Sequence, residues 1–405
     1  MRLKEICDYI SRGTTPDYVD ESPYKVMNQA TFSKGWLDEN NVRYTSKNVR
    51  EAQIKKGDLL MASTGGGVLG KVFFFDSDNT SFYADSHVSI LRNSKGGNLM
   101  KYLYYVFSIK YDEINATMVK GSTNQTELQR NYLLAYELDM PPLSKQQRIV
   151  DYLDEKLGNI DARIAVLEKQ QDAHARLKKS IIYHTVTRGL NPDVSLKDSG
   201  VDWIGMIPEH WIMKRLKDIS ILNPQYKRDG VEGVVSYLPM EGLRLGALEL
   251  QEISFGEGKG KYTFFENNDL LIAKVTPCFE NGNIAIAQKL KSGMGFGSSE
   301  IFVLRVLKDA NIRYLFYYVQ TPSFQGEACT TMCGVGGLKR ISPLFMRQRL
   351  IPLPSLSEQQ GIVAYLDEKC TKINASSENI GKQIDALKRL KRALINEVVT
   401  GQRAV

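Results

Sequence analysis

The sequence predicts an α+β fold: two mixed α/β globular domains in tandem duplication, separated by two long α-helices that pair as an antiparallel coiled coil with pseudo-twofold, circular symmetry. Two observations carry this. The stretch PPLSKQQRIVDYLDEK, beginning at Pro141, returns as PSLSEQQGIVAYLDEK at Pro354, with 12 of 16 positions identical at an offset of 213. Upstream of each copy, short segments repeat at nearly the same offset. A long-period repeat decides the architecture before any local reading does.

The helices come first. Ser144 with Gln147, and Ser357 with Gln360, have the S-x-x-Q spacing of a capping box. The prolines just upstream bar an earlier start. Apolar residues then step by three and four: Val150, Leu153, Leu157, Ile160, Ile164 and Leu167 in the first copy, and Val363, Leu366, Cys370, Ile373, Ile380, Ile384, Leu387 and Leu394 in the second. That spacing describes a coiled-coil seam. The first seam weakens late, at Gln171, His174 and Lys178, and the second weakens early, at Cys370 and Ser377. Antiparallel pairing brings the two weak stretches together and sets Val150 to Ile160 against Ile384 to Leu394. Parallel pairing would strand polar groups along the seam. About 40 helical residues make a rod of roughly 60 Å. One such helix alone would read as packed on its own domain; two with the same cap, seam and offset favour a paired rod.

The globular parts repeat as well. Arg2, Leu3, Lys4 and Ile6 match Arg215, Leu216, Lys217 and Ile219; GDLLMA at Gly57 resembles NDLLIA at Asn268; SHVSILR at Ser86 parallels SEIFVLR at Ser299; and YLYYV at Tyr102 has its counterpart in YLFYYV at Tyr314. Runs such as Leu59 to Ala62, Val72 to Phe75 and Val88 to Leu91, bounded by Gly, Asn, Asp and Ser, read as strands. Tyr102 to Tyr111 and Ile312 to Gln320 read as short helices. The predicted segments are therefore a first domain over 1–140, a helix over 141–188, a connector over 189–213, a second domain over 214–353 and a helix over 354–405. Prolines and glycines exclude a long helix from the connector, while Trp203, Ile207 and Trp211 predict that it packs on something.

Composition narrows the function. The 405 residues suffice for two or three cores, and no apolar run has transmembrane length. MRLKEICDYISRG does not read as a signal peptide, so a cytoplasmic protein without membrane partners is expected. Cys7, Cys278, Cys329, Cys333 and Cys370 imply no disulfide framework, and the pair four apart lacks nearby histidines for zinc. The net charge is +7; residues 1–140 balance at 17 basic and 17 acidic, while 214–353 carry 18 against 13. Such a surplus permits nucleic-acid binding.

Catalytic patterns are missing. GGGVLG at Gly65 fits G-x-G-x-x-G, but KVFFFD after it reads as a strand where a dinucleotide site needs a helix. NPQY at Asn223 resembles the Asn-Pro-Pro-Tyr loop of adenine methyltransferases, yet lacks the second proline and an accompanying glycine-rich cofactor loop. His87, His174, His184 and His210 have no metal spacing and no evident nucleophile to serve. A non-catalytic protein with no metal is expected.

The repeated P-x-L-S-x-Q-Q-x-I-V-x-Y-L-D-E-K motif, the KSIIYHTVTRGLNP helix end from Lys179, and GVDWIGMIPEHW leading into KRLKDI together resemble the specificity subunit of type I restriction-modification systems. The resemblance covers the whole chain, except that the first half starts at RLKEI without the IPEHW lead-in. It implies a DNA-reading adaptor. Each globular part would be a target-recognition domain for one half of a bipartite double-stranded site, with the helical pair as a ruler fixing the spacer. Two modification subunits, carrying S-adenosylmethionine and the methyltransferase chemistry, would dock on the helices, and restriction subunits could join. No cofactor is expected on this chain. Candidate DNA contacts lie in the polar loops: Arg12, Thr14, Lys71, Lys120, Asn124 and Gln125 in the first domain, and Gln225, Lys227, Arg228, Lys259, Lys274, Lys339 and Arg340 in the second. The alternative is a coiled-coil scaffold whose end domains bind proteins, which salt dependence of binding would separate from DNA binding.

Overall fold

The computed structural model describes residues 1–94, 97–120, 126–226, 232–334 and 338–405. Contacts divide the chain into two compact units, Met1–Glu168 with Lys382–Val405, and Lys169–Gly381, so each long helix contributes to both.

In the first unit, strands Tyr9–Arg12, Val88–Arg92, Leu59–Ala62 and Val72–Phe74 form an antiparallel sheet in that order. GDLLMA supplies its most buried strand, with Leu59 to Ala62 all inaccessible. The aspartate just before that strand is also buried: Asp58 receives Arg92 through two bonds, Nε at 2.6 Å and Nη2 at 2.7 Å. A second sheet lines up Tyr18–Val19, Arg43–Thr45, Lys25–Met27 and Phe82–Ala84, the last two parallel. The GGGVLG segment is a turn with positive φ at Gly65, Gly67 and Gly70, and the strand Val72–Phe74 follows it as the sequence predicts.

The second unit repeats this wiring. Strands Ser220–Leu222, Ile301–Val306, Leu270–Ala273 and Ile284–Ile286 lie in the equivalent antiparallel order. Asp269 receives Arg305 through Nε at 2.8 Å and Nη2 at 2.7 Å. Its second sheet again contains a parallel pair, Val234–Leu238 with Met294–Gly297. Here the buried, charge-paired aspartate is as much part of the repeat as the apolar strand it precedes.

The long helices run Leu143–Arg188 and Leu356–Val399. Both units show them antiparallel. In the first, Lys391 Nζ meets Asp161 at 2.6 Å and Lys388 approaches Glu168 at 3.9 Å. In the second, Lys178 Nζ donates to Asn374 Oδ1 at 2.9 Å and Gln171 Nε2 to the Ser377 carbonyl at 3.4 Å, so the weak stretches of the two seams do meet. The register lies further toward the C-terminus than the apolar pattern predicts. Ile160, predicted opposite Ile384, stands next to Asp161, whose partner is Lys391, and Val150, Leu153 and Leu157 share a core cluster with Leu394, Ile395 and Val398. The reason is that Ile395 and Val398 pack on the same core as Leu3, Leu103 and Leu133, which extends the buried stretch beyond the seam.

The caps differ from expectation too. Both helices begin one residue before Ser144 and Ser357. In the second copy the true cap is Ser355, whose Oγ accepts from Glu358 N at 3.3 Å. In the first, Pro142 stands there, and its carbonyl accepts from Lys145 N and Gln146 N at 2.8 and 3.0 Å. The motif's first glutamine is a buried staple: Gln146 Nε2 donates to the Pro141 carbonyl at 2.7 Å and Gln359 Nε2 to the Pro354 carbonyl at 3.0 Å.

The connector folds into the second unit. Leu196–Asp198 pairs with Met206–Pro208, and Ile207 and Trp211 are fully buried in a cluster that contains Ile182, Val186, Tyr314 and Ile362. Trp203 stays part-exposed beneath the Arg349 guanidinium, 4.6 Å from its ring centre. Among the described residues no helix is long and apolar enough to cross a membrane.

Candidate nucleic-acid interface

Each main sheet ends in a small backbone hub built the same way in both halves. In the first, Ser63 N donates to the His87 carbonyl at 2.8 Å and Leu128 N to the Ser63 carbonyl at 2.9 Å, with Thr64 bridged to Glu127. In the second, Lys274 N donates to the Glu300 carbonyl at 3.0 Å and Ile341 N to the Lys274 carbonyl at 2.9 Å, with Val275 bridged to Arg340. Thus Ser63, Thr64, His87 and Glu127 occupy the places of Lys274, Val275, Glu300 and Arg340. The main chain is held in common while the side chains have exchanged charge and size.

Those side chains make different surfaces. In the first hub Arg12 pairs with Glu127 and also reaches the Ser63 and Leu128 carbonyls at 3.3 and 3.4 Å, while Thr64 Oγ1 lies 2.6 Å from His87 Nδ1. A cleft of about 300 Å³ opens beside Arg12, Glu127 and Arg130. In the second hub Arg340 grips Glu300 through Nε and Nη2, both at 2.9 Å. Lys339 N donates to Thr276 Oγ1 at 3.0 Å, and the Lys274 ammonium stands 5.6 Å from the Phe302 ring centre. The Arg340 hydrogen bonds hold the Glu300 carboxyl below its ordinary pKa, with Lys274 adding to the effect. These ion pairs are part-exposed and screened by solvent, so either guanidinium can exchange its carboxylate for a phosphate or a base edge at small cost.

Of the predicted contacts, the structure gathers Lys274, Lys339 and Arg340 into one hub and places Arg12 in the other. Lys120 belongs to the strand paired with Glu127–Leu128, and Thr14 is bridged to Asp85 beside the first hub. Lys71 instead donates to the Ser33 carbonyl at 3.1 Å, Gln225 Nε2 to the Asn223 carbonyl at 3.3 Å, and Lys259 is an exposed residue closing the short helix Phe255–Gly258. Asn124, Gln125, Lys227 and Arg228 lie outside the described residues. The candidate contacts read from the polar loops did not include Thr64, His87, Glu127 or Glu300, which the structure places in the hubs. The signal was present: His87 and Glu300 share a place within SHVSILR and SEIFVLR.

Cys333 adds a natural probe, since it is exposed and bridged to Arg340. Burial pushes the Cys7 thiol up to about 12, which leaves almost no thiolate there at neutral pH. Iodoacetamide at pH 8 is therefore expected to label Cys333 and spare Cys7, as mass spectrometry will show. A DNA ligand seated on the second hub should slow labelling of Cys333.

A family model described as the type I restriction modification DNA specificity domain matches residues 1–171 and again 208–386. The chain belongs to this family. Among its curated relatives, the specificity subunit of the EcoAI type I restriction enzyme of Escherichia coli is 30% identical over 200 residues, 48% of this chain; the match spans only 34% of that protein's length. The putative MjaX type I restriction enzyme specificity subunit of Methanocaldococcus jannaschii is 25% identical over 421 residues, covering 99% of this chain and 92% of the other. Two solved structures share the fold at 15% identity. One, from work on complex assembly and conformational transition of the type I R-M system, has a TM-score of 0.71 over 98% of this chain and 96% of its own. The other, the HsdS subunit of Thermoanaerobacter tengcongensis, has a TM-score of 0.50 over 100% and 96%. The double match of the specificity-domain family follows the duplication seen in the sheets and hubs.

Proposed function

We propose that this chain is a non-catalytic, sequence-specific DNA-binding subunit of a type I restriction-modification complex, working in the cytoplasm. Each domain reads one half of a bipartite double-stranded site, and the helical pair sets the spacer between them. The supporting observation is the duplicated hub: one backbone scaffold presenting Arg12, Thr64, His87 and Glu127 in one half, and Lys274, Glu300, Lys339 and Arg340 in the other. A common scaffold with diverged polar side chains suits the reading of two different sequences, because donor and acceptor patterns at base edges are what distinguish base pairs.

Methylation itself belongs, on this reading, to two modification subunits docked on the helices and carrying S-adenosylmethionine. Exposed Leu143 and Leu356, and exposed Leu177 and Leu390, stand at repeat-related helix positions, as two copies of one partner would require. Restriction subunits can then join the assembly.

The test is to co-express the chain with its modification subunit in a methylation-free host and map adenine methylation. A split, asymmetric motif that vanishes without this chain is expected. Arg340→Ala should weaken recognition at one half-site by about 1–3 kcal/mol and leave the other unchanged. A co-purified complex with no split motif would sink the reading, and absence of any complex would favour the scaffold alternative.

A further inference from the structure

The YLDEK segment of each long helix carries more than seam residues. In the first half its aspartate, Asp154, accepts a hydrogen bond from the Tyr105 hydroxyl and an ion pair from Lys101 at 2.6 Å. In the second half Asp367 accepts from the Tyr317 hydroxyl at 2.6 Å and from Arg313 at 2.5 Å. Tyr105 and Lys101 lie on the helix Gly97–Ser108, and Tyr317 and Arg313 on Ile312–Tyr318, the two helices that follow the last strand of each main sheet. The same three-part contact between a domain and its long helix has therefore been kept in both halves, with only Lys and Arg exchanged.

Beside each contact the domain also rests on the helix through apolar packing. Tyr102, Leu103 and Val106 share a cluster with Val150 and Leu153, as Tyr314 and Leu315 do with Val363 and Leu366. Apolar packing is non-directional and tolerates a rocking motion. A tyrosine and a cation converging on one carboxylate do not, because their bonds weaken steeply with angle. Burial, then the Asp154 bond, pushes the Tyr105 hydroxyl far above its ordinary pKa, and burial with the Asp367 bond does the same to Tyr317. Both hydroxyls therefore remain donors at any working pH.

We propose that Asp154 with Tyr105 and Lys101, and Asp367 with Tyr317 and Arg313, are positioning latches that fix the angle of each recognition domain on its helix and thereby restrict the spacer length accepted between half-sites. The inference rests on the DNA-reading function proposed above. A duplex turns once in about 10 base pairs and 34 Å, so one added base pair displaces a half-site by about 3.4 Å and rotates it by about 35°. To follow it, a domain must swing about its helix, and that swing breaks the latch.

The test uses the full complex on a DNA library in which the two half-sites are separated by spacers of every length from two below to two above the parent. The wild-type complex should methylate a narrow band of lengths; no preference for any split motif would overturn the function reading and this inference with it. Tyr105→Phe and Asp154→Asn, and Tyr317→Phe and Asp367→Asn, should raise methylation of off-length relative to parent-length spacers by roughly two- to thirty-fold, with both half-site sequences unchanged. Within each latch the double variant should add little to either single one. Tyr105→Phe removes a single oxygen, and its melting temperature reports folding, so it decides the matter should Asp154→Asn fold poorly. Folded variants that keep the wild-type spacer profile would overturn the latch.

Discussion

Asp58→Ala is expected to lower the stability of the first domain by about 3–5 kcal/mol, the cost of stranding one partner of a buried ion pair. Asp58 is 0% exposed, takes both Nε and Nη2 of Arg92, and also accepts from Lys55 N at 2.7 Å. Its loss leaves a guanidinium over Tyr9 that keeps, among the described residues, the Gln53 carbonyl at 2.9 Å as an acceptor. Asp269→Ala should cost less, although Asp269 is as deeply buried, because Arg305 keeps Glu266 at 2.7 Å. Urea unfolding of each variant, followed by far-UV circular dichroism, gives the comparison. Equal losses for the two variants would show that Glu266 does not compensate, and a loss below about 1 kcal/mol at Asp58 would place that pair with weak surface bridges.

The second large effect concerns the ruler. Inserting seven residues into both long helices, between 160 and 175 and between 373 and 388, adds about 10.5 Å to each at 1.5 Å per residue. A seven-residue unit preserves the apolar step, so the seam should close again. The preferred spacer should then lengthen by about three base pairs at roughly 3.4 Å each, with both half-sites intact. Insertion into one helix alone should abolish specific methylation, since cross-helix contacts such as Lys391 with Asp161 and Lys178 with Asn374 lose their register. Methylation mapping of the parent chain, the double insertion and the single insertions settles it: an unchanged spacer in the double insertion would exclude the helices as the ruler.

Much of this was legible in the chain itself. The repeat at an offset of 213 predicts the duplicated sheets, the two long helices and their antiparallel sense, because a seam that weakens late in one copy and early in the other pairs well in only one direction. The strands at Leu59 and Val88 were legible for a related reason: a short apolar run bounded by turn residues has few places to go except the middle of a sheet.

What local sequence could not supply depends on residues far apart in the chain. The caps sit at Ser355 and Pro142 because the strand or loop entering each helix decides where it begins, and the apolar register slides because Ile395 and Val398 are buried by the first domain as well as by the partner helix. The hubs are the clearest case. Thr64, His87 and Glu127 are 23 and 40 or more residues apart, and none is a cation of the kind that marks DNA contacts in sequence. Periodicity and repetition are properties of neighbours and copies, so the chain alone determined the duplicated architecture. The juxtaposition of Arg12 with Glu127, of Glu300 with Arg340 and of Tyr105 with Asp154 is a property of closed sheets and docked helices, and only the tertiary structure decided it.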